Sequence, residues 1–432
     1  MRALSVWMNG ERVGTWSIGT TGNHRLAYDP QWVVNPKARP LSLSLPFTAG
    51  LLEGDKVRNF FDNLLPDSEA IRKRIGTRYR LRRIEVFALL QAIGRDCVGA
   101  VQILPLDAQP EGFDQIRGTT LTHRDIEQII GQLGATPGAG TDDEDEFRLS
   151  LAGAQEKTAL LQVDGHWMRP RGATPTTHIL KPPIGVTAGR NLDLRLSVEN
   201  EWLCSQIAQE LGLETAESEI VDFGARRALV VKRFDRALLP QGWIARLPQE
   251  DLCQALGVAG SAKYEKDGGP GIEQCLEVLK ASEDPHGDGR TFLCAQLLFW
   301  LMAAIDGHAK NFSLFILPQG RYRLTPLYDV LSAWPLIGSG AHHLPYQKAK
   351  MAMAVRGSSA HYRLGEIQRR HWQALAHRSG IDQAWEAMLD MVGQLEGALV
   401  AVERRLPADF PADMAQQIFA GTRRHLTKFE AG

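Results

Sequence analysis

Cysteine is scarce in this chain and poorly placed for chemistry. The five cysteines (Cys97, Cys204, Cys253, Cys275 and Cys294) are odd in number and scattered, with no Cys-x-x-Cys pair. This argues against a disulfide framework and a zinc cluster and fits a reducing compartment, with core packing the expected role of each. An excess of one charge is also missing: 49 Lys and Arg stand against 50 Asp and Glu, a formal net charge of −1. Bulk charge therefore makes no case for autonomous nucleic-acid binding, though it does not forbid a local basic face. Long apolar runs are absent as well. The longest, Phe292 to Ile305, is broken only by Gln296 and is too short for a bilayer, so it reads as a buried helix with no membrane role. The amino-terminal stretch reaches the turn Asn9-Gly10 before a signal-peptide core can form, and a cytoplasmic protein is expected.

What is present is ordinary for a globular protein, with 44% hydrophobic and 23% charged residues, and 432 residues call for two or three packed units. Asn9-Gly10, a favoured type I′ turn pair, joins strand-like Leu4–Met8 and Glu11–Ile18. Helical patterns follow over Val57–Leu65 and Ile71–Arg74, with Pro66-Asp67-Ser68 as the start signal of the second. The basic stretch from Arg72 through Arg83 has Ile75, Leu81 and Ile84 interleaved and reads as a solvated face rather than a nucleic-acid patch. A short helix (Asp125–Leu133), a Gly/Pro-rich segment and the five acids Asp142–Glu146 then mark an exposed connection. Beyond it come the hairpin Thr158–Val163/His166–Met168 around Asp164-Gly165, the strand Thr177–Lys181, the helix Val198–Leu211 and the strand Ala228–Val231. After Gln249 the pattern is helical, interrupted by one hairpin at Asn311–Leu324. The expected fold is α+β and two-lobed, like a protein kinase. A small mixed domain spans 1–105, a linker 106–146, a strand-rich nucleotide-binding part 147–248 and a helical catalytic lobe 249–432.

Phosphoryl transfer needs a positioned hydroxyl, metal ions on the phosphates and a cation to hold the nucleotide. Asp306-Gly-His-Ala-Lys-Asn311 has the Asp-x4-Asn spacing of a kinase catalytic loop, with Asp306 to orient and deprotonate the acceptor hydroxyl and Asn311 to bind magnesium. The turn Pro318-Gln-Gly320 returns the chain so that Asp329 faces the same metal. Lys181 ends an apolar strand, where a phosphate-binding lysine belongs, and either Glu199 or Glu201 on the next helix suits it as partner. The segment Ser150–Lys157 precedes a hairpin, where backbone amides can cradle phosphates, although it lacks Gly-x-Gly-x-x-Gly. These residues alone also suit a small-molecule phosphotransferase.

Trp7-Met8-Asn9, Arg39–Pro46, Asn59–Pro66, Ile93–Ala100, Ser150–Lys157, Thr174–His178, Arg246–Asp251, Asp267–Gly271, Asp306–Ser313 and Tyr328-Asp329 together carry a resemblance over nearly the whole chain. On these residues the chain resembles the HipA toxin kinases of bacterial toxin–antitoxin modules. The resemblance implies an ATP- and Mg2+-dependent serine/threonine kinase with Asp306 as base and Asn311 and Asp329 as metal ligands. Lys181 and the loop Ala152, Gly153, Ala154, Gln155, Glu156 and Lys157 are implied to hold the ATP phosphates, Lys232, Arg233 and Phe234 to line the adenine hinge, and His308 and Tyr328 to border the nucleotide. Ser150 matches a serine that such kinases autophosphorylate as an off switch. The implied partners are a helix-turn-helix antitoxin that represses the shared operon, and an aminoacyl-tRNA synthetase, notably the glutamyl enzyme, whose phosphorylation stalls translation and induces dormancy. Nucleoid association through that antitoxin is implied too. The basic pattern of some relatives is partly lost or shifted in Arg369–Gly380, so operator DNA is expected mainly through the antitoxin. The reading from another functional class is a catalytically silent corepressor, against which the complete catalytic set argues.

Overall fold

Asn9 and Gly10 adopt the left-handed conformations (φ 46° and 82°) that a type I′ turn demands, and they join strands Arg2–Met8 and Glu11–Ile18. This hairpin lies within a five-stranded sheet ordered Leu52–Glu53, His24–Tyr28, Glu11–Ile18, Arg2–Met8, Gln102–Pro105. The computed structural model describes residues 2–133, 150–187, 191–340 and 342–432. The acidic run Asp142–Glu146 lies outside them.

The chain divides into two compact units. The first comprises Met1–Pro182, Val221–Ser261 and Leu314–Tyr322, and the second Pro183–Ile220, Ala262–Ser313 and Arg323–Gly432. The expected boundaries near 105, 146 and 248 all fall inside the first unit. That unit nonetheless holds two separate cores. One gathers Trp16, Phe60, Phe61, Phe87 and Ile103, with Trp16 stacked on Phe61 at 3.9 Å. The other, including Leu160, Trp167, Leu180, Phe223 and Val230, lies against a six-stranded sheet ordered Ser218–Phe223, Arg226–Lys232, His178–Lys181, Thr158–Val163, His166–Pro170, Gly118–Thr120.

Polar side chains tie the early segments of the first unit to its later ones. Asn9 donates to the Arg246 carbonyl and accepts from its amide, at 2.8 and 2.9 Å. Glu250 accepts from the Leu43 amide at 2.8 Å, and Asn63 donates to the Val258 carbonyl at 2.9 Å. These pairs lie about 200 residues apart in sequence.

The second unit is mainly helical. Its central helix, Pro285–Leu301, is buried almost continuously from Phe292 and packs against Ala384–Glu403 and Ala412–Glu430. It ends before Ile305 because Ala303 takes a left-handed conformation (φ 50°). The expectation of a single hairpin after Gln249 is corrected: Lys350–Arg356 and Ala360–Arg363 pair as a second one. Met351 to Val355 is buried on both faces, so its sequence lacks the alternation that would have marked a strand. All five cysteines are buried and unbridged.

His425 fills the core of this unit. Its ring stacks on Trp300 at 4.5 Å, Nε2 lies 2.8 Å from the Tyr346 hydroxyl, and Nδ1 lies 2.7 Å from the Trp300 carbonyl. Burial pushes its pKa down to about 3. Below the ordinary histidine value of 6.5 the unfolded chain takes up a proton that the folded one refuses, so folding stability falls with pH over that window. Thermal unfolding across pH 7 to 4 is expected to show this slope, and His425→Gln is expected to flatten it.

Candidate functional site

The Asp306–Asn311 loop belongs to the second unit. Asp306 follows the central helix, and Gly307 is required there because a Cβ would strike the Phe299 ring. The Asp306 side chain is 63% exposed and His308 is buried beside it, Nε2 standing 3.9 Å from Oδ2. Asn311 donates through Nδ2 to the Asp306 carbonyl at 3.0 Å. A carbonyl can only accept, so this bond fixes the amide orientation and leaves Oδ1 as the end suited to a cation.

Tyr328 closes the other side of the loop. Its hydroxyl donates to the Lys310 carbonyl at 2.9 Å. A phenol has one proton, so the 2.6 Å bond to Ser313 Oγ has the serine as donor. Asp329 then adopts φ 61°, a left-handed conformation uncommon outside glycine and tolerated by aspartate. The backbone on both sides is pinned. The Leu327 amide donates to the Glu214 carbonyl, and its carbonyl accepts from the Ala216 amide, both at 2.8 Å. Asn200 grips Ser332 with two 2.8 Å bonds, to its carbonyl and from its amide. Such over-determination holds an unusual backbone conformation in place.

Among the described residues no group of three His, Cys, Asp or Glu side chains gathers as a self-contained metal site. Asn311 Oδ1 and the Asp329 carboxylate are hard oxygen donors. One or two such ligands, completed by substrate phosphates and water, are the usual set for magnesium, and the donor chemistry fits that ion.

The first unit carries the other expected residues. Lys181 is buried at the end of its strand, paired in register with Leu229. Lys232 is exposed opposite His178, and the Phe234 ring meets Phe315 edge-on at 5.7 Å. Glu199 and Glu201 are both buried on Ser197–Glu210, a helix of the second unit.

The loop from Ser150 is built on the segment that follows Asn59–Asn63. Ser150 is fully buried, its Oγ donating to the Leu64 carbonyl at 2.7 Å and its amide to the Asp96 carbonyl at 3.1 Å. Pro66 bridges Gly153, and the Asp67 amide donates to the Gly153 carbonyl at 2.9 Å. Gly153 has φ 108°, and a Cβ there would crowd Lys157 Nζ at 2.6 Å. Ala152 and Ala154 flank it, Gln155 donates to the Pro182 carbonyl at 2.9 Å, and Glu156 pairs with Arg74.

The side chain of Arg233, implied by the resemblance to line the adenine hinge, belongs to a buried ion cluster. Its guanidinium is buried, 2.8 Å from Asp235 and 3.6 Å from Asp96, and it donates to Thr176 Oγ1 at 2.9 Å. Arg236 and Arg246 complete the cluster, at 3.1 and 3.0 Å from Asp96.

Sequence reasoning missed Asn200 and Tyr264. The Tyr264 hydroxyl donates to Asp306 Oδ1 at 2.6 Å, and its ring meets His308 edge-on at 5.1 Å. The glycines of Asp267–Gly271 were the available signal, because such glycines mark close backbone approach.

A strand-rich unit and a helical unit, with a catalytic-type Asp/Asn loop in the latter, define the two-lobed kinase-like class. The model of the HipA-like C-terminal domain matches residues 149–401, and that of the HipA N-terminal domain matches residues 4–104. The chain belongs to the HipA family. It is 35% identical to the Y4mE protein of Sinorhizobium fredii over 88% of this chain and 86% of that one. It is 30% identical to the serine/threonine-protein kinase toxin HipA of Shewanella oneidensis over 76% of this chain and 75% of that one. A solved Shewanella oneidensis complex of HipA with HipB and operator DNA superposes with TM-score 0.79 at 25% identity, covering 98% of this chain and 97% of that one. No helix among the described residues is long and apolar enough to cross a membrane.

Proposed function

We propose that this chain is an ATP- and magnesium-dependent serine/threonine protein kinase acting as the toxin of a toxin–antitoxin module. The observation that carries the reading is the Asp306 loop: an exposed carboxylate on a residue whose backbone carbonyl is bonded by Asn311, followed by the pinned, left-handed Asp329. Asp306 accepts the proton of an acceptor serine as its oxygen bonds to the γ-phosphorus and the bond to the departing ADP breaks. Asn311 and Asp329 are the proposed metal ligands, with Lys181 and the Ala152–Lys157 backbone on the phosphates and Glu199 or Glu201 as the partner of Lys181. His308, Tyr328 and the Lys232–Phe234 backbone border the nucleotide. Bound ATP supplies the phosphoryl group, and magnesium neutralises the charge developing on its oxygens.

An aminoacyl-tRNA synthetase, the glutamyl enzyme first, is the proposed acceptor. A small helix-turn-helix antitoxin is the proposed neutralising partner and carries most of the operator contact. Autophosphorylation of Ser150 is the proposed off switch, and its burial gives that switch a physical form. A dianionic phosphoserine cannot re-enter a fully buried site whose one hydroxyl bond is to Leu64, so the modified segment stays displaced and the phosphate cradle is lost.

Incubation with magnesium and ATP, alone and with a set of aminoacyl-tRNA synthetases, followed by phosphosite mapping by mass spectrometry, tests this. Phosphate on Ser150 and on a synthetase serine is expected, both lost in Asp306→Asn. Phosphate found only on a small metabolite would overturn the protein-kinase reading.

A further inference from the structure

The Asp267-Gly-Gly-Pro-Gly271 segment has no task in phosphoryl transfer as described so far, yet its glycines are sterically required. A Cβ on Gly269 would overlap the Ala262 carbonyl and lie 2.8 Å from that of Tyr264, and one on Gly271 would lie 2.6 Å from the Glu265 carboxyl carbon. Gly268, with φ 89°, donates to the Glu265 carbonyl, and Asp267 and Gly269 both donate to the Tyr264 carbonyl, each at 3.0 Å. The motif therefore folds back tightly on one short stretch, Ala262 to Glu265.

That stretch is fastened from the other side too. Glu265 accepts from the Ala354 amide at 2.6 Å and pairs with Arg356, both on the strand Lys350–Arg356. Between these two anchors stands Tyr264. Its hydroxyl reaches Asp306 Oδ1, its ring edge meets His308, and the ammonium groups of Lys263 and Lys266 lie 5.5 and 5.6 Å from its centre.

We infer that Tyr264 is a positioning residue for the Asp306 carboxylate, and that the glycine motif exists to hold it there. An aspartate side chain 63% exposed at the end of a loop is not held by packing and samples several rotamers in water. A donor at 2.6 Å on Oδ1 selects one of them and leaves Oδ2, 3.9 Å from His308 Nε2, as the oxygen to take the acceptor proton. Catalysis by a kinase loop is largely orientation, so fixing this rotamer raises turnover without touching nucleotide affinity.

The inference rests on the kinase reading, and its test separates the two. Tyr264→Phe keeps the ring and removes only the hydroxyl. It is expected to lower kcat for phosphate transfer roughly tenfold, within the range a hydrogen bond to a charged group is worth. KM for ATP and the thermal midpoint are expected to stay at their wild-type values. In parallel, the 13C carboxyl resonance of Asp306 is compared in wild type and Tyr264→Phe at one pH, a readout needing no activity. A shifted resonance with the kcat loss supports the inference. An unchanged resonance, or unchanged kcat beside an active wild type, overturns it and leaves the kinase reading intact. A shifted resonance in a wild type that transfers no phosphate overturns the kinase reading and supports the hold of Tyr264 on Asp306.

Discussion

Asp306→Asn is expected to lower the turnover of phosphate transfer by about two to four orders of magnitude, the span that general-base catalysis covers. The substitution is nearly isosteric. Asparagine Oδ1 can still accept from the Tyr264 hydroxyl, and the backbone carbonyl that Asn311 holds is unchanged. What is lost is the negative charge and the ability to take the acceptor proton. Asn311 and Asp329 are untouched, so KM for ATP is expected to move far less than kcat. That split, measured by steady-state transfer to a purified synthetase, separates loss of the base from loss of nucleotide binding. Equal losses in both parameters would argue against Asp306 as the base.

The second large effect is on stability. Asp96 is buried beneath three guanidinium groups, those of Arg233, Arg236 and Arg246, and accepts from the amide and hydroxyl of Thr176 at 3.1 and 2.7 Å. Burial alone would raise its pKa, but Arg236, Arg246 and Arg233 outweigh that and hold the carboxyl well below its usual range. Asp96→Ala leaves three buried cations facing Asp235 alone and is expected to destabilise the protein by about 3–5 kcal/mol, as removal of one partner from a buried ion cluster does. Chemical denaturation reads this directly. The sign of the pH dependence follows as well. A carboxyl held below its unfolded pKa stabilises the fold above the normal carboxylate range, and that stability is lost as acid protonates it. Acid unfolding of wild type is thus expected to begin at lower pH than that of an Asp96→Asn variant.

The same network shows where linear reading stops. Asp96-Cys97-Val98-Gly99, Thr176 and Arg246 belong to motifs that carry the resemblance, and the Arg233–Arg236 stretch lies outside them, yet nothing in the sequence announces that they form one ion cluster. In three dimensions they are one object. The Gly99 amide donates to Asp235 at 2.7 Å, Arg236 donates to the Cys97 carbonyl at 3.0 Å, and the Asp96 carbonyl receives the Ser150 amide that begins the proposed phosphate loop. The guanidinium of Arg233, a residue the resemblance places at an adenine hinge, is a strut of this cluster. A long charged side chain reads the same whether solvated or buried, and only its partners decide.

Local chemistry was legible. The turns at Asn9-Gly10 and Asp164-Gly165, with φ of 46° and 82° and of 48° and 77°, follow from residues that tolerate left-handed backbone. The Ser68 cap, accepting from Ile71, and the burial of the central helix likewise follow from signals confined to a few neighbouring residues. Asp306, Asn311 and Asp329 could be singled out because the loop and the hairpin that space them are contiguous in sequence. Long-range facts were not legible. Neither the hold of Tyr264 on Asp306 across 42 residues nor the 132-residue reach of Asn200 to Ser332 leaves a periodicity in the chain. By itself the sequence determined the turns, the helix caps and the identity of the candidate catalytic side chains, because backbone preference and side-chain chemistry are local. Only the tertiary structure decided which charges are buried together, that Ser150 lies beneath the surface, and that the Tyr264 hydroxyl bonds Asp306. Those depend on which distant segments share a desolvated space.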